Sequence, residues 1–372
     1  MAPKKSSAFS DFVKDRAVRG KQKISVPGRL EFLISGVDVS LVNGIRRAIL
    51  TDVPTVAIRF DATDPEAQDV KVIHNTGNLH NELIGDRVGL IPFHLNKKQL
   101  LDFKSSAWRF EIDVSNTGTR PLDVTTADFS VVPVEGDSEI INPANIFKPS
   151  PVSGRHPIIT VLMPPKHGVT QRLALEATAS FGTGTQHARH SPVSVCAFTP
   201  LLDEAEIERE RKKRDDKASF DALDAKRIIR KDGKGNPEAF EFFLESECGM
   251  SPEEIVESGL EALAGRMRSL ADDAEGPRVV EIDPQTDSPA DMRSLKLTGE
   301  TDTAGALVQA ELLGEDITDF AGYYVPHHLE RSICLAMRVK DGKSPRAMLR
   351  AACESAAAKV EDLLSQFQKA AF

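Results

Sequence analysis

The sequence lacks a long apolar run, and this shortage excludes a helical membrane protein. No stretch of its 372 residues approaches the roughly 18 consecutive apolar residues that a membrane-spanning helix needs. A secretory signal has an apolar segment after its positively charged start. The first residues, MAPKKSSAFSDF, have no such segment after their lysines. We therefore expect an intracellular protein without a membrane partner, whether in the cytosol, the nucleus or a virion.

Cysteine pairs and excess positive charge are also missing. The four cysteines are far apart and form no CxxC pair; they are Cys196, Cys248, Cys334 and Cys353. This spacing suggests neither a disulfide framework nor a cysteine zinc knuckle. The net charge of −9 argues against binding of nucleic acid through overall charge. We therefore expect DNA or RNA to be contacted by partner proteins.

What is present is a globular composition arranged in two similar halves. Hydrophobic residues make up 40% of the chain and charged residues 28%, and the length predicts two to three domains at about 150 residues each. Alternating strand and amphipathic-helix patterns predict the α+β class. The predicted segments are a mobile basic arm (1–24), a first strand-and-helix domain in two pieces (25–97 and 236–276), a β-rich insertion with a charged connector (98–235), a linker (277–293) and a second strand-and-helix domain (294–372).

Two long helices are predicted with one apolar face each. Ser251, Pro252 and Glu254 form a helix start, with a capping box and proline at the first helical position. Ser344 and Pro345 open the final helix. Because a helix of this kind must cover its apolar face, and two in one chain can cover each other, we predict an intramolecular pseudo-dimer. Its predicted interface residues are Leu41, Ile45, Val256, Leu260, Leu263, Met267, Leu307, Ala356, Val360, Leu363 and Phe367.

The strongest local patterns are LVNGIRRAILTDVPTVAI at 41–58 and NELIGDRVGLIPF at 81–93. Arg46 and Arg47 follow each other on a short helix whose other side is apolar. Their guanidinium groups are therefore free to pair with a partner's carboxylates or carbonyls. A pair of arginines that is merely solvated is the alternative. Gly89 ends the helical part of the second pattern and is predicted to take the left-handed position at the end of the helix.

These patterns resemble the dimerisation domain shared by the alpha subunit of bacterial RNA polymerase, its D-type counterpart in archaea and the third-largest subunit of eukaryotic RNA polymerase II. The similarity lies in an N-x-x-R-R helix, a following I/V-P-T strand and a helix that ends in R-x-G-L-I-P. The H-A-x-x-S-P segment at 187–192 resembles the end of that family's insertion domain. The resemblance implies a set of partner-binding residues, namely Asn43, Arg46, Arg47, Pro54, Arg87, Leu90, Ile91 and Pro92.

The last part of the chain resembles the small partner of that subunit, which is the L-type subunit in archaea and the eleventh subunit of RNA polymerase II in eukaryotes. The similarity lies in TGETDTAGALVQAELL, FAGYYVPH and an S-P-x-x-x-L helix, although TDTAGA stands at 301–306 where the family commonly has D-H-T-L-G-N. The resemblance covers 25–372 and implies two partners fused in one chain, as in polymerases of large eukaryotic DNA viruses.

That resemblance also implies a function. The chain would be a non-catalytic assembly protein that binds the second-largest polymerase subunit, then the largest subunit and small bridging subunits, and that forms no homodimer. It would contact DNA and RNA only through the complex. The protein would be located in a cytoplasmic viral factory or a virion if the source is viral, and in the nucleus otherwise.

Two other functions stay open from the residues alone. His187, His190 and Cys196 could begin the metal site of a hydrolase, but no fourth ligand lies nearby and relatives with a zinc loop carry several cysteines here. We therefore predict no metal and no other cofactor. The basic arm with Arg46 and Arg47 could instead form a nucleic-acid-binding module. The sequence has no D-x-D-x-D pattern, and we predict no catalytic residue.

Overall fold

The computed structural model describes residues 7–19, 22–64, 68–105, 107–134, 142–282, 289, 291–314, 317–339 and 342–371. Within these residues the helices are α1 (Val39–Thr51), α2 (Asn81–Gly89), α3 (Lys97–Asp102), α4 (Pro143–Ile146), α5 (Glu204–Lys212), α6 (Lys217–Ser219), α7 (Pro252–Asp272), α8 (Asp302–Gly314) and α9 (Pro345–Ala371). None of them combines the length with the apolar composition that crossing a bilayer demands.

The strands alternate with these helices along the chain, which confirms the predicted mixture of helix and sheet. They are β1 (Phe9–Arg19), β2 (Gln22–Ser35), β3 (Thr55–Ala57), β4 (Val70–Asn75), β5 (Trp108–Ser115), β6 (Leu122–Thr125), β7 (Ser130–Pro133), β8 (Ile158–Leu162), β9 (Arg172–Ala177), β10 (Ser180–Gly182), β11 (Val193–Pro200), β12 (Ala239–Ser246), β13 (Val279–Ile282), β14 (Met292–Thr298), β15 (Ala321–Tyr324) and β16 (Ser332–Arg338).

Two antiparallel four-stranded sheets carry the two halves of the chain. The first has the strand order β1-β2-β12-β11 and the second the order β13-β14-β16-β15. Helices α1 and α7 contact the first sheet, and helices α8 and α9 contact the second. Each half therefore combines an antiparallel sheet with one shorter and one longer helix.

Local capping determines where the main helices begin. The Asp38 carboxylate accepts a hydrogen bond from the backbone N–H of Ser40 at the start of α1. At the start of α7, Ser251 Oγ accepts from the N–H of Glu254, and the Glu254 carboxylate accepts from the N–H of Ser251. The predicted capping box is thus confirmed. Each cap contributes about 1 kcal/mol to helix stability. Because the capping residues lie within three positions of each other, the local sequence determines where α1 and α7 begin.

The long helices α7 and α9 pack along each other, and α1 contacts both α7 and α8. Gly44 allows this close approach, because a Cβ there would lie 3.3 Å from Leu307 Cδ1 and 3.4 Å from Leu263 Cδ2. The hydrophobic core is therefore continuous across the two halves. All residues predicted at the interface between the halves are buried: Leu41, Ile45, Val256, Leu260, Leu263, Met267, Leu307, Ala356, Val360, Leu363 and Phe367.

An aromatic cluster joins the first strand to the last helix. The ring of Phe367 on α9 lies 5.1 Å from the ring of Phe9, 5.8 Å from that of Phe12 and 5.7 Å from that of Phe32, measured between centroids. The Gln366 side chain also accepts a hydrogen bond from the N–H of Ala8 at 2.8 Å. Strand β1 is therefore fastened to a helix of the other half.

The prediction of a mobile arm over residues 1–24 is wrong for residues 9–19, which form β1, and for residues 22–24, which begin β2 and pair with β1. The register shifts between Ser10 and Val13 and again after Lys14, and Asp11 and Asp15 have φ angles of 53° and 54°. Such bulges disrupt the alternation by which a strand is recognised in a sequence. Residues 1–6 and 20–21 lie outside the described residues.

Domain boundaries also differ from the prediction. Part of the expected linker at 277–293 is strand β13, which pairs with β14, while residues 283–288 lie outside the described part. Strand β11, expected in the insertion at 98–235, pairs with β12 in the first sheet. Strand β4, expected in the first domain, joins the sheet β4-β9-β5-β7. These pairings connect segments far apart in sequence, which local patterns do not reveal.

The segment from β4 to β9 adds an aromatic part to the core. Its sheets are β4-β9-β5-β7 and β6-β8. The Phe110 ring lies 5.4 Å from that of Phe93 and 5.6 Å from that of Phe147, and Phe129 stacks on Phe147 at 4.8 Å. Because Phe93 ends the pattern NELIGDRVGLIPF, this core fixes the position of that pattern.

Candidate functional site

The outer face of α1 carries Asn43, Arg46 and Arg47, which are half-buried. The opposite face of the helix is buried against α7 and α8. Nε and Nη2 of Arg46 donate hydrogen bonds to Asn43 Oδ1 at 3.1 and 3.0 Å, which holds the guanidinium group in one orientation. Neither arginine forms an ion pair within the described part of the chain. Both are therefore available to carboxylates of another molecule.

A groove of about 230 Å³ lies beside the second pattern and is lined by Leu90, Pro92 and strand β3. Leu90 is 65% exposed, which is unusual for a large apolar side chain. Pro54, which precedes β3, and Arg87 on α2 are exposed as well. The structure therefore brings part of both sequence patterns to one concave surface, with Asn43 and the two arginines on the separate face of α1.

Arg189 forms part of this groove and was not singled out by the sequence. Its Nη1 donates to the carbonyl oxygen of Ile58 at 2.9 Å, and its Nη2 donates to that of Phe60. Nε donates to His187 Nδ1 at 2.9 Å, and burial lowers the pKa of Arg189. The H-A-x-x-S-P segment is thereby fastened to the end of β3. In the sequence, the only indication that Arg189 belongs to the site was its position inside the H-A-x-x-S-P segment.

Two predictions about the second pattern are wrong. Gly89 is the last helical residue of α2 and does not have a positive φ angle. A Cβ at this position would lie 2.5 Å from Nη1 of Arg189 and 3.2 Å from the carbonyl oxygen of Ile58, so close packing rather than backbone conformation favours glycine. Ile91, predicted to bind a partner, is buried in the core because the chain turns it inward after α2 and leaves Leu90 outside.

A largely buried polar network crosses the junction between the halves. Arg266 on α7 lies 3.3 Å from Asp52 at the end of α1 and 2.8 Å from Glu300 before α8. The Glu300 side chain is 5% exposed and also pairs with Arg278 at 3.0 Å. Asp52 belongs to the first half and Glu300 to the second. Because Arg266 pairs with both carboxylates, it favours one relative orientation of the two halves. Sequence patterns missed these residues because the partners are far apart along the chain.

His187, His190 and Cys196 do not converge on a metal site. His187 Nδ1 accepts hydrogen bonds from Arg189, the His190 ring is buried, and Cys196 Sγ lies 3.9 Å from the carbonyl oxygen of Arg46. Burial raises the pKa of the Cys196 thiol to about 12, which keeps it protonated. Across the described ranges, no group of three or more His, Cys, Asp or Glu side chains could hold a metal ion.

Comparisons with known proteins identify similar sequences for both halves. A family model described as the RNA polymerase Rpb3/Rpb11 dimerisation domain matches residues 31–267. A second model with the same description matches residues 293–366. The two matched segments contain the main helices of the first and second sheet-and-helix units, while the edge strands β1 and β13 lie outside them.

Curated relatives include proteins of archaea and of a ciliate. The DNA-directed RNA polymerase subunit Rpo3 of Natronomonas pharaonis is 26% identical over 260 residues, or 64% of this chain and 90% of that protein. Rpo3 of Pyrobaculum arsenaticum is 29% identical over 160 residues, or 43% of this chain and 54% of that protein. A conjugation stage-specific protein of Tetrahymena thermophila is 27% identical over 187 residues, or 46% and 56%. Apart from the Natronomonas protein, the chain spans about half the length of these relatives.

Proposed function

Because the chain belongs to the RNA polymerase Rpb3/Rpb11 dimerisation-domain family, we propose that it is a non-catalytic assembly subunit of a multisubunit DNA-directed RNA polymerase. The observation that carries this proposal is the packing of α7 against α9. The two helices begin in different family-matched segments, and each buries its apolar stripe. A chain organised around such a contact is suited to serve as a platform for larger subunits.

The packed halves form an intramolecular pseudo-dimer in this proposal, with both members of a subunit pair fused in one polypeptide. Burying large apolar side chains such as Leu263 and Leu363 gains roughly 1.5–3 kcal/mol each. Because the halves are tethered, their effective concentration reaches about the millimolar range. The pair should therefore stay closed without a second copy of the chain, and we expect no homodimer.

Two surfaces are proposed for partner subunits. The α1 face, defined as Asn43, Arg46 and Arg47, binds acidic groups of the second-largest subunit. The Arg46 guanidinium is oriented by Asn43, and neither arginine has an ion-pair partner among the described residues. The groove beside Leu90 and Pro92 serves the next subunits to assemble, the largest subunit and small bridging subunits. DNA and RNA are reached only through the complex.

The fusion of both partners in one chain resembles the arrangement in polymerases of large eukaryotic DNA viruses. This resemblance supports a viral source. In that case the complex would work in a cytoplasmic viral factory or a virion, and otherwise in the nucleus. Mass spectrometry of the proteins that co-purify with the tagged chain from its source would distinguish these settings.

Co-purification of the second-largest subunit tests the proposal. We expect the tagged wild-type chain to retain that subunit and the variant with Arg46→Ala and Arg47→Ala to lose most of it. Both arginines are half-buried and form no ion pair with the described residues, and surface charges contribute under about 1 kcal/mol to stability, so the variant should remain folded. A control with Lys212→Ala and Lys213→Ala removes the same charge from an exposed part of the connector. Equal retention by all three proteins would contradict the assignment of the α1 face.

The same variants separate this function from a nucleic-acid-binding module. If the arginine pair bound DNA directly, the isolated chain would bind duplex DNA with an affinity that falls steeply with salt, and the arginine variant would reduce that slope. We expect weak binding with no difference between the arginine and lysine variants.

A further inference from the structure

The connector between β11 and β12 contains a basic cluster whose members are exposed and have no ion-pair partner among the described residues: Lys226, Arg227, Arg230, Lys231 and Lys234. Within 226–234 the only acidic residue is Asp232. The preceding part of the connector is different, because Arg209, Lys212 and Lys213 each pair with a glutamate of α5. One basic segment of the connector is therefore neutralised, and the other is not.

A short hairpin, residues 228–237, carries most of this cluster and leads into β12. Its two sides meet at a bridge between Lys231 and Pro237. The N–H of Asp232 donates to the carbonyl oxygen of Asn236 at 2.8 Å. The Asp232 carboxylate accepts two backbone N–H groups of the turn, both at 2.8 Å. This carboxylate therefore stabilises the turn and does not neutralise the cations beside it.

The main chain of the hairpin is already paired on both sides. The N–H of Arg230 donates to the carbonyl oxygen of Leu201 at 2.9 Å, and the carbonyl oxygen of Arg230 accepts from the N–H of Glu238 at 3.2 Å. A partner that binds as an added strand needs free main-chain groups. Because these groups are occupied here, only the charged ends of the side chains remain for recognition. This arrangement favours a partner of high negative charge density over an extended peptide.

The cations also lie on both faces of the hairpin. Neighbouring residues of an extended strand direct their side chains to opposite faces, so Arg230 and Lys231 point away from each other. A flat acidic surface would meet only one of these faces. The major groove of duplex DNA, about 12 Å wide, admits a two-stranded β-ribbon and has a phosphate backbone along each side. A groove of this kind matches a ribbon with cations on both faces.

We propose that the hairpin 228–237 enters the major groove of duplex DNA and that the basic cluster contacts phosphates of both strands. Phosphate contacts position a protein on DNA without reading its sequence. The net charge of −9 opposes DNA binding by the isolated chain. The contact is therefore weak in isolation and adds to the binding of DNA that other subunits hold. It goes beyond the proposed function, and only its place in a polymerase rests on that function.

The test measures binding of the full chain to a fluorescent DNA duplex of about 20 base pairs, from about 25 to 150 mM KCl. The cluster variant carries Arg230→Ala, Lys231→Ala and Lys234→Ala. Each lost phosphate contact reduces the slope of log affinity against log salt by about one. We expect the slope to fall by about two to three, and the affinity at low salt to fall about tenfold or more. The backbone bonds of the hairpin are kept, so urea denaturation should match wild type.

Two matched variants separate the cluster from net charge. The combination Arg209→Ala, Lys212→Ala and Lys213→Ala removes the same charge from ion-paired residues of the same connector, and its slope should equal that of wild type. The combination Arg230→Lys, Lys231→Arg and Lys234→Arg keeps the charge and should bind as wild type does. An equal loss of slope in the ion-paired control would overturn the inference, because binding would then follow net charge.

The choice of probe tests the groove itself. Duplex RNA has a deep, narrow major groove, so we expect it to bind more weakly than duplex DNA. Equal or tighter binding of duplex RNA would overturn insertion into the groove. Tighter binding of a poly-glutamate peptide would instead assign the cluster to an acidic protein. A wild-type chain that does not bind the DNA duplex at the lowest salt would overturn the proposal entirely. The proposed function is judged separately, by retention of the second-largest subunit.

Discussion

Replacing Phe367 with alanine is expected to destabilise both halves of the molecule together. Phe367 belongs by sequence to the second half, but its fully buried ring contacts Phe9, Phe12 and Phe32 of the first half. If the halves form one cooperative unit through this contact, damage at the end of α9 must reach the first sheet. If they are independent, the damage stays in the second half.

The expected magnitude follows from these contacts. Truncation of a buried phenylalanine to alanine costs about 3–5 kcal/mol, and each lost aromatic pair accounts for about 0.5–1.5 kcal/mol. Because Phe367 takes part in three such pairs, we expect a loss near the upper end, about 4–5 kcal/mol. The variant Phe367→Leu keeps most of the apolar volume and should lose only about 1–2 kcal/mol.

Urea denaturation gives the free energy of unfolding, and thiol labelling reports opening of the junction. Cys353 on α9 is buried, and burial raises the pKa of its thiol to about 12, so it should label slowly in the wild-type chain. Labelling should accelerate in Phe367→Ala. The matched control, Phe129→Ala, removes a buried ring from the other aromatic cluster and should leave labelling of Cys353 unchanged. A loss below about 1 kcal/mol for Phe367→Ala would refute the reasoning.

Three further outcomes are expected. Combining Leu263→Asp with Leu363→Asp should bury unpaired charge between α7 and α9 and make the chain sensitive to protease or aggregation; protease resistance equal to wild type would argue against the interface. A chelator should not change the melting temperature, since structural zinc would contribute folding free energy, and a clear decrease would reveal missed ligands. Arg266→Met should lower the free energy of unfolding, measured by urea denaturation, by about 3 kcal/mol, because it leaves acidic groups without their shared partner. Adding Glu300→Gln should restore part of this loss. An Arg266→Met variant as stable as wild type would exclude a stabilising role for the network.

Elements determined by local chemistry were predictable from the sequence. The capping box at Ser251 and Glu254 set the start of α7, and the apolar stripe that follows it is buried. Asp38 likewise caps α1, which leaves Arg46 and Arg47 on the outer face of the helix. In each case neighbours within one or two helical turns determine the result, so periodicity and end signals were sufficient.

Elements determined by distant contacts were not predictable in this way. Strand β1 resembled a mobile arm because bulges interrupt its alternation and because Phe9 and Phe12 find their partner at Phe367. Arg189 and Arg266 looked like ordinary charged residues, since their carbonyl and carboxylate partners lie in other parts of the chain. The sequence therefore predicted the arginines on the outer face of α1. It did not predict Arg189, which lines the groove, or Arg266, which joins the two halves.

Sedimentation equilibrium of the isolated chain tests the closed pseudo-dimer most directly. The chain has a mass of 40.6 kDa. Because the apolar faces of α7 and α9 already cover each other, we predict a single species of this mass at all accessible concentrations. A stable species of about twice that mass, formed reversibly as concentration rises, would contradict the claim that one chain supplies both members of the pair.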